Sequence, residues 1–393
     1  LLNIRFLIDR GATSVSPIIP TKLSNKIAEL LTTILTIEHS IYHSGNLLFS
    51  ILVETEVNTT KLKFIIAKIQ RCFEQMITLD HQVFLVSPVI GAAIYDKTTV
   101  DELPIFNQAR LALNYALASK QNYVLYNHDI YLKIEEKRAI ELDVTTAFNN
   151  EDLTLYLQPI VRLPDNQCIG AEVLLRWPNA PNKGIYPNIM VEIINAVGLG
   201  KMFTRWLINS VCRLSHELKH VHKLDLYLTL NLRAEDLYDS DLPYLIYQST
   251  QFWKINAQDI VLEITENGIL EENEITNNVI KQLTEYGFKL AIDDFGTGYS
   301  SMSRLRNMPI SLIKIDQSFV TRIAESNEDF HMVQTMAQLA IGLGKEVLVE
   351  GVETKDGLDL INQIGIKKAQ GYYFSRPIPY DAFITWAKNN TSQ

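Results

Sequence analysis

Acidic and amide side chains recur at or near the ends of short apolar runs through the C-terminal part of this chain: Gln158, Glu172, Asn231, Glu263, Asp293 with Asp294, Lys314 with Asp316, Glu350 and Gln370. A set of oxygen donors with no histidine or cysteine among them is a hard site, suited to Mg²⁺ or Mn²⁺ rather than to structural zinc. So many acids in one pocket repel one another unless cations neutralise them, and a pair of divalent ions is the usual arrangement for cleaving a phosphodiester. The chemistry expected is attack of an ionised water on phosphorus. Lys314 would hold that hydroxide or the phosphate oxygens, and Glu350 would serve as base or as a ligand of the second ion. Arg176, in the turn of sequence after Glu172, is suited to gripping a phosphate.

The elements that must position these residues are short apolar runs alternating with helical segments: Leu155–Val161, Ile169–Leu175, Leu226–Leu232, Ile260–Thr265, Leu290–Asp294, Leu312–Asp316, Val347–Glu350 and Ala369–Phe374. Strands alternating with helices in this way predict a closed (β/α)8 barrel, in which the C-terminal ends of parallel strands converge on one face. Residues 1–129 read as a separate α/β unit. It has an apolar run Leu1–Ile8, a helix Lys22–Leu35, a strand pair around Ser40–Val53, a helix Leu62–Met76, a strand Val83–Ala93 and a helix Ile105–Ala118. The charged, helically patterned stretch Tyr131–Phe148 makes 130–150 a helical linker or the first helix of the next domain, which then spans 151–393.

Composition narrows the class. With 393 residues, 47% hydrophobic and 21% charged, the chain is an ordinary globular protein long enough for two cores. A net charge of −9 argues against a nucleic-acid polymer as partner but allows a small anion held by metal ions. Cys72, Cys168 and Cys212 lack metal-type spacing and fit free thiols in a reducing cytoplasm. No apolar stretch is long enough to span a bilayer, so no membrane contact is expected of this segment. Because it begins at Leu1, it reads as the cytoplasmic piece of a larger sensor.

The motifs YLQPIV, GAEVLLRW, LNL, LEITEN, DDFGTGYSS, IKID, VEGVET and QGYYFSRP, in this order, closely resemble those of the EAL-domain phosphodiesterases. The resemblance implies a TIM-like barrel with an antiparallel first strand that hydrolyses cyclic di-GMP to linear pGpG with two Mg²⁺ or Mn²⁺ ions. It implies Glu172, Asn231, Glu263 and Asp293 as ligands of the first metal, with Asp293 bridging to a second held also by Asp294. Glu350 and Lys314 become the catalytic pair, and Gln158, Arg176, Asp316 and Gln370 substrate or supporting contacts. Glu266 becomes the anchor of the loop Asp294–Ser301, whose Gly296 and Gly298 permit a tight backbone, and Glu353 a second loop anchor. That loop implies a homodimer through the barrel.

The N-terminal half resembles, less closely, a GGDEF domain, an α/β sandwich of nucleotidyl-cyclase-like fold. Its signature hairpin falls on Gly45–Phe49, reading GNLLF, with Leu47 and Leu48 where cyclase chemistry needs acids, and with Arg5 and Leu7 near the expected metal ligands. Without carboxylates no Mg²⁺–GTP is held, so the domain reads as a non-catalytic regulator. The competing readings are a barrel that binds cyclic di-GMP without cleaving it and a phosphodiesterase gated by GTP.

Blander readings apply to several residues. Asp316 or Glu353 can cap the following helix. His216-Glu217-Leu218-Lys219-His220 matches the HExxH zinc pattern but reads as the polar end of a helix before a strand, away from the expected pocket. Tyr299 and Tyr372, beside motif residues, are the aromatics suited to stacking on guanine. Two departures from the family pattern stand out: Asn195-Ala196 replaces an acidic residue, and Arg233 replaces a small one two residues after Asn231, where strand alternation would turn its charge toward the metals.

Overall fold

The computed structural model describes residues 1–8, 19–35, 37–54, 58–79, 82–95, 103–178, 180, 185–266, 273–298 and 302–391. The chain divides into two compact units, Leu1–Ile140 and Glu141–Gln393, and the division falls inside the helix His128–Asn149. That helix occupies the stretch expected to be helical and extends it at both ends.

In the first unit, strands β1 (Leu2–Ile8), β2 (His39–His43), β3 (Leu48–Val53), β6 (Val86–Ala92) and β7 (Tyr123–Leu125) form one sheet in the order β2-β3-β1-β6-β7. A small hairpin, β4 (Ile77–Leu79) with β5 (Gln82–Phe84), precedes β6. With the helices Ile19–Ile34 and Thr59–Cys72 between strands, the path is the split βαββαβ arrangement, β1 pairing antiparallel with both β3 and β6. Apolar residues of one sheet face and both helices, among them Leu2, Ile4, Leu23, Ile27, Phe49, Ile66 and Ile69, make its core. The third helix, Ile105–Ala118, lies so close to β6 that a Cβ on Gly91 would stand 2.1 Å from the Leu113 nitrogen.

The second unit is a barrel of eight strands: β8 (Thr154–Arg162), β9 (Gln167–Arg176), β10 (Tyr227–Leu232), β11 (Ile260–Thr265), β12 (Lys289–Phe295), β13 (Leu312–Ile315), β14 (Glu346–Val349) and β15 (Lys368–Ala369). Pairing of β15 with β8 closes it, and a two-residue strand β16 (Ile378–Pro379) adds to β8. The first strand runs antiparallel to both its neighbours, whereas β9 through β15 pair in parallel, as the motif resemblance implied. The lower barrel is sealed by Ile160, Val261, Ala291, Leu312 and Leu348.

The run Ala369–Phe374 is a strand only through Ala369. At Gly371 the backbone passes against Val352, where a Cβ would stand 2.2 Å from the Val352 carbonyl oxygen, and Tyr373 N–H donates to that oxygen at 2.9 Å. The close crossing pulls the chain out of the sheet, so the strand stops at Ala369 and Tyr372–Phe374 follow in a turn. Among the described residues no helix is long and apolar enough to cross a membrane.

Replacing Gly91 by alanine should push the helix Ile105–Ala118 off β6 and lower stability by about 1–3 kcal/mol, an overpacking cost. Urea unfolding of the chain with and without the substitution measures it.

Candidate active site

Consecutive strands from β8 to β13 deliver the centre of the barrel mouth. In register, Gln158 on β8 faces Glu172 on β9, Glu172 lies beside Thr229 on β10, and Asn231 sits beside Glu263 on β11. Strand alternation keeps Glu172, Asn231 and Glu263 on the inner face. Asp293 and Asp294 are consecutive on β12, so alternation alone would send them to opposite faces. A register shift between Ile292 and Phe295, together with a left-handed Asp294 (φ 56°), brings both to the same cluster.

Lys314, wholly buried on β13, is the hub. Its ammonium lies 2.8 Å from Glu350 Oε1, 2.9 Å from Glu263 Oε2, 3.0 Å from Asp293 Oδ1 and 3.7 Å from Glu172 Oε1. Asn231 Nδ2 donates to Glu172 Oε1 at 3.2 Å, and Gln370 Nε2 donates to Glu172 Oε2 at 2.5 Å and to Glu350 Oε1 at 2.9 Å. Gln158 Nε2 donates to the Ser375 carbonyl at 3.3 Å, tying β8 to the segment after Gln370.

One ammonium faces the carboxylates of Glu172, Glu263, Asp293, Asp294 and Glu350, and the protonation behaviour records the shortfall. Burial pushes Glu263 well above the usual carboxylate range and Glu350 up to about 8, against the pull of Lys314. Burial, then the neighbours Asp293 and Asp316, raise Asp294 to about 6. Burial works to lower Lys314, but Glu172, Glu263, Glu350 and Asp293 together outweigh it and hold the ammonium well above its ordinary value.

The donors fit divalent cations. Glu172, Glu263 and Asp293 bring one oxygen each to within 4.8 Å of one another, and so do Asp293, Asp294 and Glu350, with Asp293 common to both groups. Glu263 Oε1 is buried with no hydrogen-bond partner, and Asp293 Oδ1 has none either, although Lys314 stands 3.0 Å away as an ion-pair partner. Buried carboxylate oxygens left without donors are costly, and a cation removes that cost.

The remaining expected residues lie around this centre. Glu266, buried, accepts from the Gly296 N–H at 2.9 Å and the Gly298 N–H at 3.3 Å, so it pins the segment that follows Asp294. A side chain at Gly296 (φ 102°) would stand 2.8 Å from Met336 Sδ. Tyr299, Ser300 and Ser301 lie outside the described residues. Asp316 accepts from Ser318 N–H at 3.0 Å, capping the short helix Gln317–Val320, while its charge acts on Asp294. Arg176 is half-buried, donates to the Leu175 carbonyl at 2.7 Å, and is lowered by burial against the opposing charges of Tyr372 and Glu172. Glu353 is exposed. Tyr372 stands half-exposed with the Arg376 guanidinium 4.2 Å above its ring, a partner that spacing did not reveal.

Arg233 does not turn toward the acids. It lies beyond the last residue of β10, and its guanidinium pairs with Asp236 instead. His216 and His220, whose rings are 4.6 Å apart, sit where the helix Gly200–His216 runs into a π-turn before β10, and no third ligand joins them among the described residues. Beside Asn231 a cavity of about 490 Å³ is walled by Leu174, Pro187, Val191, Phe203 and Leu207.

Residues 141–377 match the family model of the EAL domain. The chain belongs to the EAL-domain family. The cyclic di-GMP phosphodiesterase NbdA of Pseudomonas aeruginosa is 28% identical over 80% of this chain and 40% of that protein. The probable cyclic di-GMP phosphodiesterase PdeB of Escherichia coli is 29% identical over 62% of this chain and 46% of its own length. The chain thus spans less than half of each of these relatives. Among solved structures, the EAL enzyme Bd1971 bound to cAMP and cyclic di-GMP superposes with a TM-score of 0.62 at 27% identity, over 74% of this chain and 77% of that one. The MucR phosphodiesterase complex with cyclic di-GMP superposes at 0.57 and 28% identity, over 61% of this chain and 98% of that one.

With divalent cations stripped by EDTA, the raised Glu350 sets a direction with pH. A carboxyl whose folded pKa exceeds its ordinary 4.5 favours folding fully below that value, and the contribution is lost as pH rises through about 8. The melting temperature of the EDTA-treated EAL barrel should therefore fall between roughly pH 5 and pH 9, and Mn²⁺ should flatten the dependence. Differential scanning calorimetry across that range checks both parts.

Proposed function

We propose that this chain hydrolyses cyclic di-GMP to linear pGpG at the mouth of its EAL barrel. The observation that carries the reading is the pair of carboxylate groups sharing Asp293, with buried oxygens left without donors, in a barrel of this family. Glu172, Asn231, Glu263 and Asp293 would hold one Mg²⁺ or Mn²⁺ ion, and Asp293 with Asp294 a second. Ions so placed neutralise the acids and supply an ionised water for attack on phosphorus.

The chain's own groups do the rest. Glu350 Oε1, oriented by Gln370 Nε2 and Lys314 Nζ, receives the proton of the attacking water. Oxygen joins phosphorus, one P–O3′ bond breaks, and the released 3′-oxygen takes up a proton, leaving a 5′-phosphate. Lys314 holds the charge that develops, and Arg176 at the rim grips the second phosphate. The Tyr372 ring, backed by Arg376, offers a face for a guanine. Glu266 keeps the Gly296–Gly298 segment in place, and a homodimer through the barrel belongs to the same reading.

For the first unit we propose a GGDEF-like domain without cyclase chemistry. Its support is the split βαββαβ path and a β2–β3 turn in which Leu47 is buried and Arg5 donates to the Asn46 carbonyl at 3.2 Å. Leu48 fills the position beside it, and among the described residues no group of metal-holding acids lies in this unit. The receptor reading, binding without cleavage, would need a lost ligand, and every expected oxygen donor is present.

Purified protein with Mn²⁺ should convert cyclic di-GMP to pGpG, and Glu350→Gln should lower kcat by about 100-fold or more while binding persists. Anion-exchange chromatography of the products decides: absence of pGpG from the wild type, with tight binding unaffected by the substitution, establishes the receptor instead. A GTP titration by calorimetry should be flat.

A further inference from the structure

We infer that Arg233 is a positioning residue for Asn231: its guanidinium clamps the turn after β10 to the helix Gly200–His216 and so fixes the amide that completes the Glu172, Glu263 and Asp293 group. The inference rests on the proposed role of Asn231 as a metal ligand.

Arg233 Nε donates to Asp236 Oδ2 at 3.0 Å and Nη2 to Oδ1 at 2.5 Å, while the Arg233 backbone N–H donates to Oδ2 at 3.1 Å. The side chain thus closes a ring over its own turn, the short 3-10 helix Ala234–Tyr238. Nη2 also donates to Thr204 Oγ1 at 3.0 Å, and Thr204 Oγ1 lies 2.8 Å from Asp236 Oδ1. Thr204 and Asp236 are both buried, so the network ties the turn to the adjacent helix away from competing water. A forked, planar cation can make these bonds at once, and a lysine cannot.

Two further features show that the seat is built for this group. Gly200 has no side chain, and a Cβ there would stand 3.0 Å from Arg233 Nη1 and 2.5 Å from Asn195 Oδ1. The cavity of about 490 Å³ that borders Asn231 also borders Arg233 and Asn195. On that side the end of β10 borders open space, while its other side pairs with β11. The polar clamp two residues beyond Asn231 adds restraint on the open side, and the Asn231 amide lies 3.2 Å from Glu172.

The test is calorimetric titration of the whole chain with Mn²⁺, comparing wild type with Asn231→Ala, Arg233→Met, Arg233→Lys and the double variant Arg233→Met/Asp236→Leu. The double variant leaves no buried unpaired acid and guards against simple misfolding. Arg233→Met, Arg233→Lys and the double variant should each weaken Mn²⁺ binding by about 10-fold, the scale of lost support behind a metal ligand, while kcat at saturating Mn²⁺ stays within about two-fold. Mn²⁺ affinity unchanged in Arg233→Met and in the double variant, while Asn231→Ala weakens it, overturns the clamp alone. Mn²⁺ affinity unchanged in Asn231→Ala overturns the ligand role on which it rests. Thr204→Ser should keep the affinity and Thr204→Val lose part of it; equal affinity in both contradicts the tie to the helix.

Discussion

The barrel mouth is organised around a buried ammonium that is too small a charge for its surroundings. Lys314 lies within ion-pair distance of four carboxylates from four different strand ends, and a fifth, Asp294, adjoins them. An isolated buried lysine would lose its proton, and isolated buried acids would keep theirs. Here the acids hold the ammonium charged, while burial first, and then the neighbouring acids, displace Glu263, Asp294 and Glu350 upward against its pull. The closed barrel is what makes so unfavourable a gathering possible, because parallel strands register their ends on one rim and the apolar lower barrel supplies the stability.

The amides Asn231, Gln158 and Gln370 complement this arrangement without adding charge. Gln370 bridges Glu172 and Glu350, joining the two carboxylate groups. Asn231 bonds Glu172, and Gln158 ties β8 to the segment that follows the exposed Tyr372. Asn231 and Gln370 donate to the acids and Gln158 to the frame, so the cluster is held in place by groups that do not deepen its electrostatic deficit. The Glu266 carboxylate does similar work for the loop, accepting two glycine N–H groups where a longer side chain would collide with Met336.

Much of this was legible in the sequence because the cluster residues sit at strand ends whose apolar runs declare themselves. Ile260–Thr265 and Ile105–Ala118 begin and end where their patterns predict. What was not legible depends on backbone detail that periodicity does not carry. The neighbouring Asp293 and Asp294 share a cluster only because of a bulge and a left-handed residue. The last barrel strand stops at Ala369 because Gly371 and Val352 cross backbone to backbone. Alternation placed Arg233 toward the acids, but alternation ends with the strand, and an Asp three residues on offered the guanidinium a closer partner. Tyr372 was visible as an aromatic beside a motif, and its stacking under Arg376 was not.

The central claim is that Lys314 is an incomplete counter-charge and that divalent ions complete it around Asp293. A crystal of the protein grown in Mn²⁺ and measured at the manganese absorption edge addresses this directly. The account predicts two anomalous peaks roughly 3.5–4 Å apart with Asp293 between them, one near Glu172, Asn231 and Glu263 and the other near Asp294. An anomalous map without peaks at the barrel mouth, with Lys314 alone among the acids, would contradict it.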